Sequence, residues 1–95
     1  MLDKMRQLME VKRQAEELKR ELDRLQIEIN EERGIRIVIS GSQNFQKIEV
    51  DTDLFSDKSR LEAGLLKSLN AAIAKSQGLA AQKMKAMTGL NIPGL

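Results

Sequence analysis

The chain has 95 residues, with 16 Lys and Arg against 14 Asp and Glu, a single Pro, and no Cys, His, Trp or Tyr. Without thiol or imidazole there is no Cys-His or Ser-His-Asp nucleophile and no ordinary zinc site, which leaves carboxylates, lysines and hydroxyls as the whole catalytic repertoire. The lack of Cys excludes a disulfide framework, and Met1-Leu2-Asp3-Lys4 does not open like a secretory leader, so one small intracellular domain over residues 1–95 is expected.

A chain of this size buries only about 60–65 % of its unfolded surface. Two Phe residues add little aromatic bulk, so association with a second copy is the expected remedy for a marginal core. The longest apolar stretches are broken by Lys, Arg or Gly, well short of the roughly eighteen residues of a membrane span. No membrane partner is expected.

Residues 1–25 predict a helical arm. Leu8, Val11, Ala15, Leu18, Leu22 and Leu25 are spaced 3-4-3-4-3, a seam of heptad type that no Gly or Pro interrupts. Glu16 with Arg20 and Lys19 with Asp23 stand at i,i+4, where opposite charges support a helix. Such a helix, roughly 36 Å long, outreaches a body whose radius of gyration is near 13 Å. It is expected to project.

Residues 26–51 change period from 3.6 to 2. Ile27 and Ile29, then Ile35, Ile37 and Ile39, then Ile48 and Val50 alternate with Glu28, Arg36, Val38, Lys47 and Glu49, which predicts three short strands. Glu32-Arg33-Gly34 and Gly41-Ser42-Gln43-Asn44 carry turn chemistry, so the strands form an antiparallel meander with one apolar face. A three-stranded sheet leaves two edges, and pairing one with its copy predicts a two-fold homodimer.

Residues 57–88 predict a second amphipathic helix, opened by a capping box at Ser59-Arg60-Leu61-Glu62. Leu61, Leu65, Leu69, Ala72, Ile73, Ala80 and Met87 gather on one side, while Lys67 and Lys85 share the opposite direction. Gly64 and Gly78 in its interior either permit close packing or loosen it. Gly89 ends the helix, and residues 89–95 form a tail containing Leu90, Ile92 and Leu95.

Asp51, Asp53, Asp57, Ser59 and Glu62 fall at positions 1, 3, 7, 9 and 12 of a calcium loop, but Phe55 replaces an oxygen ligand and Ser56 the glycine of the sharp turn. These residues read better as a turn and helix start. The glycines lack the spacing of a phosphate loop. No metal, cofactor or small-molecule substrate is expected, and no enzymatic activity.

Charge is uneven along the chain: residues 1–24 net +1, residues 25–62 net −3, and residues 63–95 net +4 without a single carboxylate. An anion is therefore drawn to the helices and not to the sheet. Lysines on the wet side of an amphipathic helix are ordinary, and charge alone does not establish a polyanion partner. Phe45 and Phe55, the only aromatic residues, are too few for a single-strand stacking platform, so a duplex is preferred over single-stranded nucleic acid.

The run Gly41-Ser42-Gln43-Asn44-Phe45-Gln46-Lys47-Ile48-Glu49-Val50-Asp51, followed by Leu54, Leu61-Glu62, Asn70-Ala71-Ala72, Lys83-Met84 and Gly89-Leu90-Asn91-Ile92-Pro93-Gly94-Leu95, resembles the YbaB/EbfC family of bacterial nucleoid-associated proteins. The resemblance implies an α-β-β-β-α subunit of the α+β class, a tweezer-like homodimer formed through the sheets, and a place in the cytoplasm on the nucleoid. It also implies duplex DNA gripped by the projecting helices without catalysis, with effects on nucleoid organisation and gene expression. Arg6, Lys12, Arg13, Lys19 and Arg20 on the first helix and Lys67, Lys75, Lys83 and Lys85 on the second are the candidate phosphate partners. The competing expectation is a helical-arm interaction module or chaperone, in which Met5, Met9, Met84 and Met87 grip other polypeptides.

Overall fold

The structure, a computed structural model, describes residues 2–88. Helix α1 spans Leu2–Arg24, strands β1 to β3 span Ile27–Ile29, Ile35–Ile39 and Phe45–Val50, a short 3₁₀ helix covers Thr52–Ser56, and helix α2 spans Lys58–Thr88. This is the expected α-β-β-β-α order. The expected tail, residues 89–95, lies outside the described residues.

The strands form one antiparallel sheet in the order β1-β2-β3. Ile27 and Ile29 pair with Ile39 and Ile37, and Ile35 and Ile37 pair with Val50 and Ile48, so the alternating isoleucines stand on one face. A bulge opposite Val38 and Ile39 sets Gln46 out of step and returns Phe45 to the apolar face opposite Ile39. Gly34 takes a φ of 87° in the first turn, where a side chain is strained. In the second turn the left-handed residue is Gln43, with φ 68°, and not Gly41.

Helix α2 lies over β1 and β2. Its contact stripe is Gly64, Ser68, Ala72 and Ser76, all buried, flanked by the half-buried Leu61, Leu65 and Leu69. Small residues at i,i+4 bring the helix axis close to the sheet, and a Cβ on Gly64 would stand 2.8 Å from Ile35 Cδ1. Gly64 therefore serves close packing, whereas Gly78 faces open space. Each of the five buried isoleucines, at positions 27, 29, 35, 37 and 39, contributes about 1.5–3 kcal/mol of transfer free energy.

The start of α2 differs from the capping-box expectation. Asp57 is the cap: its Oδ1 accepts from Arg60 N at 3.1 Å, and its carbonyl accepts from Leu61 N. Ser59 already lies in the first turn. The preceding Asp51–Ser56 stretch buries Leu54 in the core, and no acidic cluster fit for a metal occurs among the described residues.

Helix α1 buries no residue fully. Leu18, Leu22 and Leu25 are half-buried, while Leu8 and Val11 are 70 % and 63 % exposed, so only the C-terminal half of the heptad seam is a packing face. The helix extends past the body, in a molecule of 66 × 25 × 15 Å with a radius of gyration of 18.3 Å. Its surface pairs differ from expectation: Arg13 bridges Glu10 and Glu17, while Glu16–Arg20 and Lys19–Asp23 are not among the ion pairs of the described residues. Among the described residues no helix is long and apolar enough to cross a membrane.

Candidate nucleic-acid interface

Seven-residue spacing sets Arg6, Arg13 and Arg20 on one line along α1, turned away from the seam, and Arg24, eighteen residues after Arg6, prolongs it. Lys12 and Lys19 form a second line on the flank beside the seam. All six are exposed. Arg24 was absent from the sequence-based set, although carrying the spacing to the helix end exposes it.

These cations are not equally available. Arg13 donates to both Glu10 and Glu17, which raises its own affinity for its proton and holds the Glu10 carboxyl below its ordinary range. Arg6, Lys12, Lys19, Arg20 and Arg24 carry no ion pair among the described residues. Solvated pairs of the Arg13 kind are worth little, and a phosphate exchanges readily for either glutamate.

On α2 the candidates split. Lys67 and Lys85 point away from the buried stripe and are exposed. Lys67 Nζ reaches back to Glu32 Oε1 at 2.9 Å, in the β1–β2 turn, a hydrogen bond and charge that raise its pKa. Lys75 stands on a flank, exposed. Lys83 turns the other way: its Nζ approaches Glu21 Oε2 at 3.5 Å, and it shares a cleft between the helices with Glu21, Gln82, Ala86 and Met87. Helical position alone distinguishes it, since 83 continues the line of Ser68, Ala72, Ser76 and Leu79.

The opposite face of the sheet is an ion-pair ladder and not a binding surface for anions. Arg36 on β2 donates to Glu28 on β1 at 2.6 Å and to Glu49 on β3 at 3.1 Å, and Lys47 meets Glu49 at 2.7 Å. Hydrogen bonds from Arg36 and Asn30 lower the Glu28 pKa to about 2. The Glu49 carboxyl is also lowered, chiefly by Lys47. Carboxylates held ionised across the body make this face a poor surface for an anion.

Of the methionines of the competing reading, Met5, Met9 and Met84 are exposed, and Met87 is half-buried in the cleft at the end of α2.

Exposed cations along a helix that extends past a small three-stranded sheet are an arrangement compatible with a nucleic-acid-binding class of protein. A model of the YbaB/EbfC DNA-binding family matches residues 1–91, and the chain belongs to that family, which is one of DNA-binding proteins and not of enzymes. The fold is similar to the crystal structure of the uncharacterized protein HP0035 from Helicobacter pylori, with a TM-score of 0.79 at 15 % identity over 85 % of this chain and 88 % of that one.

Proposed function

We propose that this protein is a nucleoid-associated protein of the cytoplasm that works as a homodimer and holds the phosphate backbone of duplex DNA between its helical arms. The observation that carries the reading is α1 itself. A 23-residue helix with no fully buried side chain presents Arg6, Lys12, Lys19 and Arg20 to solvent with no ion pair among the described residues. A globular domain has no packing reason to keep such a lever outside its core, and cations along a rod match a polymer with one charge per about 1.7 Å of axis.

The dimer is supported by β3. Helix α2 covers β1 and β2, and Phe45 and Ile48 of β3, on the apolar face, remain 42 % and 51 % exposed. A second copy of the sheet would cover them and pair the free β3 edge. Two-fold symmetry then doubles the arms.

Binding is non-catalytic and reads mainly the backbone. On α2, Lys67, Lys75, Lys83 and Lys85 add contacts, Lys67 and Lys83 by exchanging Glu32 and Glu21 for a phosphate. Replacing Arg6, Lys12, Lys19 and Arg20 together by Gln should abolish the mobility shift of a duplex, while Lys67, Lys75 and Lys85 to Gln should weaken it. Undiminished binding by the α1 variant would contradict the assignment of α1 as the principal contact.

A further inference from the structure

The base of α1 is joined to the body by a chain of hydrogen bonds that no packing requirement explains. Gly41 N, in the β2–β3 turn, donates to Leu22 O at 2.9 Å, a carbonyl in the last turn of α1 that also accepts from Leu25 N at 3.3 Å. Beside it, Ser42 Oγ donates to Asp23 Oδ1 at 2.5 Å. Ser40 Oγ lies 2.9 Å from Ser42 Oγ and accepts from Asn44 N at 3.1 Å.

The proton order is fixed. An ionised carboxylate only accepts, so Ser42 spends its one hydrogen on Asp23 and Ser40 must donate to Ser42, giving Asn44 N–H to Ser40 to Ser42 to Asp23 in one direction. Such an ordered chain strengthens each of its links. The buried Ser76 of α2 anchors it from the other side, donating to Ser40 O at 2.8 Å.

The turn thus ties both helices together. Close approach is part of the fit: a Cβ on Gly41 would stand 3.0 Å from Leu22 O and 3.0 Å from Leu25 Cδ1, so glycine lets the turn seat on the helix end.

We infer that the Asp23–Ser42–Ser40 chain, anchored by Ser76, is a latch that sets the angle of the α1 arm, and that Ser42 is a positioning residue for duplex binding. The inference rests on the arm-based reading above. Leu2 lies about 30 Å along the helix from Leu22. A rotation of about 10° at the base therefore displaces the tip by about 5 Å, more than the 3.4 Å rise between phosphates of one strand. Beyond the latch, α1 is held by the half-buried Leu18, Leu22 and Leu25 and by the Lys83–Glu21 pair, a short base for a long lever. Ser42 carries no charge, so its replacement leaves the net charge of the arm unchanged.

The chain has no native Cys, so spin labels on Gln7→Cys and Asn70→Cys report the arm angle in the full protein, with labelled chains diluted into unlabelled ones to isolate the distance within one subunit. Ser42→Ala should broaden the distance distribution and weaken binding of a duplex about three- to tenfold, the effect of one lost hydrogen bond. Ser42→Thr, which keeps the hydroxyl, should restore both. Ser76→Ala, acting from the α2 side, should broaden the distribution in the same way. An unchanged distribution in Ser42→Ala overturns the latch, and a broadened one with unchanged affinity overturns the positioning role. Failure of the labelled parent to bind duplex would instead strike the arm-based reading, leaving the distances to judge the latch alone.

Discussion

At the scale of single residues, the two interior glycines of α2 have opposite meanings. Gly78 meets nothing within 4 Å of an added Cβ, so Gly78→Ala should stabilise the protein by about 0.5–1 kcal/mol through helix propensity. At Gly64 the same methyl would stand 2.8 Å from the buried Ile35 Cδ1. Overpacking there costs about 1–3 kcal/mol and cancels or outweighs the gain. Urea unfolding of the two variants should therefore move the midpoint up for Gly78→Ala and not for Gly64→Ala. Equal shifts would mean that α2 does not sit as close to β2 as described. Ser68, between them in the contact stripe, has a buried Oγ with no hydrogen-bond partner among the described residues.

At the scale of elements, the ladder on the sheet's open face predicts a pH response. Glu28 is depressed to about 2 from an ordinary 4.5, first by the hydrogen bond from Arg36. Its folded value lies below its unfolded one, so the stabilisation is complete above about pH 4.5 and is lost as the pH falls toward about 2. Melting temperature should decline across that window, and Arg36→Gln should flatten the decline by releasing Glu28. Parallel profiles for parent and variant would show that the ladder does not couple to folding.

The elements were legible because their signals are local. Alternating isoleucines gave the strands and their common face, and uninterrupted heptad spacing gave α1. What stayed hidden depends on the partner of each residue. The seam of α1 reads as one packing face, yet α2 meets only its C-terminal half. Lys83 reads as another wet lysine until Glu21 is found opposite it. Ser40 and Ser76 look like surface residues in sequence, because their burial is stabilised by hydrogen bonds between segments 36 residues apart.

At the scale of the molecule, charge and shape divide the labour. The sheet segment carries the negative balance and an uncovered apolar strand, while residues 63–95 carry four cations and no carboxylate. The proposed dimer follows from the uncovered strand: Ile48→Lys should convert the protein to a monomer in light scattering at micromolar concentration, and a dimer that survives this change must use another surface. The most direct test of the central claim is the affinity for a short duplex measured by fluorescence anisotropy across a range of salt concentrations. Each phosphate contact contributes about 0.9 to the slope of log affinity against log salt. A steep negative slope that loses about three to four units when Arg6 and Arg20 are replaced by Gln, which removes four cations from the dimer, is the predicted result. Binding that ignores salt, or no binding at the lowest ionic strength, would contradict it.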